Sequence, residues 1–70
     1  MNNIILVSKD KRTIVNNWEY ICIADKKIIC FVDEKREIIL GRYETREETE
    51  KEFKDILLSV SDNKRIIYIK

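Results

Sequence analysis

Five short β-branched runs, one helical segment and a last β-branched run are all that this chain offers for building a core. Nearly every one of those runs is apolar on both of its faces. Successive side chains of a strand point to opposite faces of the sheet, so a half-buried strand reads apolar on one parity only. Here Trp18, Tyr20, Cys22 and Ala24 share one parity while Ile21 and Ile23 take the other. Ile28, Cys30 and Val32 oppose Ile29 and Phe31, and Ile38 and Leu40 oppose Ile39 and Tyr43. Ile66 and Tyr68 oppose Ile67 and Ile69, and the opening run Ile4-Ile5-Leu6-Val7 behaves the same way. One helix covers one face of one sheet. The second face needs cover, because large exposed apolar patches are rare on soluble monomers. Either the sheet curls into a small barrel or another copy of the chain covers it. Association is the favoured expectation, most simply as a two-fold dimer, because a chain of 70 residues has little core of its own.

The turns between these runs are polar. Ile4 to Ser8 reads as a strand, Lys9-Asp10-Lys11 as a turn, and Arg12 to Val15 as a second strand stopped by Asn16-Asn17. Trp18 to Ala24, Ile28 to Asp33 and Glu37 to Tyr43 read as three further strands. Short connections favour an antiparallel meander. At Thr45 the period changes. Thr45-Arg46-Glu47-Glu48 matches a capping box, and Thr49, Phe53, Ile56, Leu57 and Val60 recur at helical spacing. Leu58 falls outside that stripe. Ser61-Asp62-Asn63 ends the helix, with Asn63 suited to a left-handed cap, and Arg65 to Lys70 forms a last strand. The expected fold is a single α+β domain over residues 1–70: an antiparallel β-meander of about five strands, one α-helix in the C-terminal half, and one final strand.

Composition narrows the function classes. Lys and Arg total 14 against 13 Asp and Glu, a net charge of +1, which excludes a polycationic nucleic-acid coat or an acidic tail. The apolar share of 44% is too high for a disordered chain. No apolar run approaches the roughly 20 residues that span a bilayer, and Met1-Asn2-Asn3 opens no secretory signal, so the expected location is cytoplasmic, without a membrane. Cys22 and Cys30 are then expected to be reduced. A three-residue loop at Asp25 to Lys27 would set the two cysteines opposite one another, but their expected role is that of small core residues. The abundance of Ile (13) beside a single Ala reads as the usage of an AT-rich genome.

Catalytic constellations are not in view. There is no His, so no His-based acid or base, no Ser-His or Cys-His pair and no His metal ligand. Gly41 is the only glycine, which leaves no phosphate-cradling loop. Two cysteines eight residues apart match no zinc pattern. The carboxylates of the helix read as a solvated face. The expectation is a protein that is not an enzyme, with no catalytic residue, no metal and no cofactor.

In an up-and-down meander alternate turns share an end, so Lys9, Lys11, Arg12, Lys26, Lys27, Arg42 and Arg46 are expected near one pole, beside the helix N-terminus. Such a pole suits a small anionic, nucleotide-type ligand, with Tyr43 or Trp18 placed to stack on a base. Duplex nucleic acid is not an expected partner, because no helix carries a basic stripe. Trp18, Tyr20, Tyr43 and Tyr68 are the expected interface anchors wherever they are exposed.

The stretches Ile4-Ile5-Leu6-Val7-Ser8-Lys9-Asp10, Thr13-Ile14-Val15-Asn16 and Leu40-Gly41-Arg42-Tyr43-Glu44-Thr45-Arg46-Glu47-Glu48 form a layout. It resembles a group of short uncharacterised proteins of phages and mobile elements of Firmicutes. Those also open with a hairpin ending in a TIVN-like run and lead into one helix through a Leu-Gly-x-Tyr-x-Thr-x-Glu-Glu segment. The resemblance implies a strand-rich fold with a single helix. It also implies stoichiometric action on a host component, with inhibition of a defence system as one form. Three readings follow: an oligomeric binder of a host protein, an oligomeric sponge for an anionic nucleotide-type ligand, and a structural accessory oligomer.

Overall fold

Lys11, Asn17, Asp25 and Asn63 all adopt left-handed backbone, with φ of 62°, 54°, 57° and 60°. With a single glycine and no proline, these residues make the turns. Asn and Asp tolerate this region because their short polar side chains bond locally. Lys11 is held there by its neighbour. The Asp10 carboxylate accepts from the Arg12 N–H at 3.0 Å and from the Ser8 hydroxyl at 2.6 Å, which closes the loop.

Between these turns a computed structural model describes residues 3–70. The elements are β1 (Ile5–Val7), β2 (Ile14–Val15), β3 (Tyr20–Ala24), β4 (Lys27–Phe31), β5 (Glu37–Arg42), α1 (Arg46–Ser61) and β6 (Ile66–Tyr68). The α+β class and the order of five strands, one helix and a last strand agree with the sequence reading. The pairing is less simple than one meander. β1 and β2 form an antiparallel hairpin, β6 joins β1 in parallel, and the order of this sheet is β2-β1-β6. β3, β4 and β5 form a separate antiparallel sheet. The chain leaves the first sheet at Asn16-Asn17, where the left-handed turn at Asn17 redirects it. The two sheets are tied by a backbone bond from the Lys9 N–H to the Leu40 carbonyl at 2.7 Å.

The helix is closed at both ends by its own sequence. The Thr45 hydroxyl accepts from the Glu48 N–H and donates to the Glu48 carboxylate, each at 3.1 Å. At the other end Asn63 N–H reaches the Val60 carbonyl and Lys64 N–H the Ser59 carbonyl, a Schellman pair around the left-handed Asn63. Helix and sheets share one core. Leu6, Val15, Ile67 and Ile69 come from the first sheet, Ile28, Cys30 and Leu40 from the second, and Ile56 from the helix. Trp18, buried in the same cluster, completes it, and its indole N–H donates to the Ile4 carbonyl at 2.9 Å.

The buried stripe of α1 is Thr49, Glu52 and Ile56, with Phe53 and Val60 half-buried. Leu57 is 50% exposed, so the stripe is rotated toward Glu52 relative to the sequence reading, whereas Leu58 lies outside it as expected. The Glu52 carboxylate accepts the Lys70 backbone N–H at 2.8 Å and thereby anchors the chain beyond β6.

Candidate functional site

The register of β3 and β4 decides the cysteines. Ala24 pairs with Lys27 across a turn of two residues, one fewer than expected, so Cys22 lies opposite Ile29 and Cys30 opposite Ile21. A shift of one residue moves a side chain to the other face. Cys30 is therefore in the core and Cys22 on the outer face, and they cannot approach one another across the strands. Burial pushes the Cys30 thiol up to about 11. The folded state keeps that proton more tightly than the unfolded chain, whose thiol titrates near 9.0. The stabilisation is whole below pH 9 and lost as pH rises through 11. Urea unfolding at pH 8 and pH 11 should show a loss for the wild type that exceeds the loss for Cys30→Val by about 2 kcal/mol. Parallel pH profiles would remove the thiol from this account.

β5 carries a bulge. Ile29 pairs with Ile39 and Ile28 with Gly41, so Leu40 is the extra residue. Without it Ile39 and Arg42 would point to opposite faces. With it both lie outside, and Leu40 fills the core. The same phase shift carries Tyr43 inward. Sequence parity alone groups Tyr43 with Ile39, opposite Ile38 and Leu40. Instead its half-buried ring packs against the core and over Gly41, where an added Cβ would lie 2.9 Å from the Tyr43 hydroxyl. That hydroxyl donates to the Lys70 carbonyl at 3.2 Å, and burial, together with the Glu52 charge, pushes it up to about 12.

Part of the cation set is brought together. Lys27 pairs with Arg42, and Tyr43 N–H bonds the Lys26 carbonyl at 2.8 Å. Arg46 lies 3.5 Å from Asp25, and Lys9 Nζ donates to the Arg42 carbonyl at 2.9 Å while standing 4.1 Å over the Tyr43 ring. Lys9, Lys26, Lys27, Arg42 and Arg46 thus share one end of the second sheet. Lys11 and Arg12 sit on the exposed β1–β2 hairpin tip, beside Asp10. A groove of about 530 Å³ beside β5 is lined by Lys9, Asp10, Ile39, Leu40, Gly41 and Arg42. Its charges are largely committed. Lys9 is engaged, and Asp10 stays ionised below the usual carboxylate range, chiefly through the Ser8 hydroxyl.

The aromatic anchors divide in the same way. Trp18 belongs to the core, so its exposure condition is not met. Tyr20 and Tyr68 are 50% and 58% exposed. Sequence parity carried the signal for two residues that the anchor set missed, Ile14 at 70% and Ile66 at 47% exposure, since each is flanked by a core residue of opposite parity.

These residues belong to two outer faces, one apolar and one apolar only in its middle row. On the first sheet Ile14, Val7 and Tyr68 form one row, and Ile5 and Ile66 the next. On the second sheet the rows are Tyr20–Phe31–Glu37, Cys22–Ile29–Ile39 and Ala24–Lys27–Arg42. The Tyr20 and Phe31 rings stack with centroids 4.7 Å apart. No protein-family model matches the chain, and neither the curated proteins nor the solved structures contain a significant match to it. Among the described residues no cluster of three or more His, Cys, Asp or Glu could hold a metal ion, and no helix is long and apolar enough to cross a membrane.

Proposed function

We propose that this is a non-enzymatic, cytoplasmic, oligomeric binding protein of phage or mobile-element origin, acting stoichiometrically on a host protein. Inhibition of a defence system is one form of that action. The observation that carries the reading is the outer face of the β2-β1-β6 sheet. Ile14, Tyr68 and Ile66 stand exposed there around half-buried Val7 and Ile5, and none of the five is charged. Exposed apolar side chains contiguous across three strands mark an interaction surface. Just beyond the ends of β2 and β6 stand Arg12, Lys64 and Lys70, all exposed and cationic. The fitting partner is a protein with an apolar centre flanked by carboxylates, which basic rim residues would steer and orient.

The test is capture from host cells with the wild type and with Ile14→Glu and Tyr68→Glu. The wild type should retain one host protein in a fixed molar ratio, and both variants should lose it while keeping wild-type thermal stability. Absence of a stoichiometric partner, or capture indifferent to both variants, would overturn the reading. The sponge for an anionic nucleotide comes second, because Asp10 lines the same groove as Arg42 and Lys9 is already engaged. A rise in melting temperature with nucleotides, lost on charge reversal of Arg42, would put the sponge first.

A further inference from the structure

The outer face of the β3-β4-β5 sheet is polarised along its strands. One end row carries Glu37, the other carries Lys27 and Arg42, and the middle row Cys22–Ile29–Ile39 is uncharged. The loop beside Glu37 is balanced in charge, so the contrast rests on the end rows themselves. Beside Glu37 the loop holds Asp33, Glu34, Lys35 and Arg36, with Asp33 and Arg36 paired at 2.8 Å. Beside Lys27 and Arg42 stand Lys26 and Arg46, with Asp25 3.5 Å from Arg46 and Asp10 lining the groove beside Arg42. Ile29 lies outside the core cluster and is enclosed by its neighbours on this face.

A face with opposite charges at its two ends and an apolar centre complements itself when turned round. A two-fold axis lying in the contact plane and crossing the strands along the middle row reverses strand direction. It sets the first row of one copy against the third row of the other. Glu37 then faces Arg42 of the second copy, and the Phe31 ring faces Lys27 of the second copy, a cation–π arrangement. Tyr20 meets Ala24, and the middle row meets itself, so that the two copies of Cys22 face one another. A two-fold axis along the strands would set Lys27 against Lys27 instead, with like charges opposed. We propose that this face is the subunit interface of a homodimer built on the first of these axes.

The proposal rests on the oligomeric part of the reading above and leaves the first sheet free for the host protein. Three strands at about 4.8 Å spacing and five residues at about 3.4 Å rise give a contact patch well below the ~800 Å² per partner of a standard stable interface. The expected dimer is therefore a dissociable one, with Kd on the order of micromolar to hundreds of micromolar.

Light scattering and sedimentation from about 1 to 500 µM protein bracket that range. The wild type should pass from monomer to dimer. Glu37→Arg and Arg42→Glu should each raise Kd about tenfold or more, and the double exchange should restore it, with circular dichroism confirming the fold of each variant. A short bis-maleimide should trap a covalent dimer in the wild type and in Cys30→Ala but not in Cys22→Ala. A monomer at every concentration would overturn both this interface and the oligomeric reading. A dimer that ignores both charge variants and yields no Cys22 adduct would overturn this interface alone.

Discussion

Leu6→Ala should lower the unfolding free energy by about 2–5 kcal/mol, the range for deleting a buried leucine side chain. Leu6 is fully buried at the centre of β1, between Val15 of β2 and Ile67 of β6. Cavity cost dominates here because the two flanking strands are fixed by their ladders and cannot collapse inward. A domain of this size rarely has more than about 3–5 kcal/mol in hand. The variant should therefore be largely unfolded at 25 °C. Trp18 is the only tryptophan and is buried, so its emission should move to the red on unfolding. An emission spectrum and urea midpoint unchanged from the wild type would contradict the placement of β1 at the heart of the core.

The second large effect separates two neighbouring isoleucines. Ile67→Ala should cost about 2–4 kcal/mol and Ile66→Ala less than about 0.5 kcal/mol. Ile67 pairs with Leu6 and points into the core, whereas Ile66 pairs with Ile5 and is 47% exposed. The pair tests the parallel register of β6 against β1 directly. A slip of one residue would exchange the two costs. Urea unfolding of both variants decides it. Ile66→Ala has a second use, since it trims the apolar face proposed for the host protein without weakening the fold that displays it.

Much of the candidate surface was legible before the fold. The double-sided apolar pattern already implied outer faces that one helix could not cover, and Tyr20, Ile39, Ile66 and Tyr68 stand on such faces. Turn placement put Lys9, Lys26, Lys27, Arg42 and Arg46 near one pole, but it put Lys11 and Arg12 there too, and those two sit on the β1–β2 hairpin tip. Parity failed where an integer changed. The two-residue turn at Asp25-Lys26 moved Cys22 and Cys30 to opposite faces. The extra residue Leu40 carried Arg42 outward and Tyr43 inward. Helical spacing failed at Glu52, whose burial depends on an N–H of Lys70, a partner 18 residues away in sequence.

The features legible in the linear chain are therefore local. Thr45 and Asn63 bound the helix through bonds that span three to five residues, and Asn17, Asp25 and alternating β-branched residues place turns and strands. These depend on backbone sterics and short-range hydrogen bonds, which a linear reading contains. Tertiary structure alone decided that the meander breaks into two sheets and that β6 lies parallel to β1, far from it along the chain. It also decided that Trp18 is buried in the shared core. Those choices turn on which apolar faces fill a shared volume at native density, and packing of that kind is a property of all the elements at once.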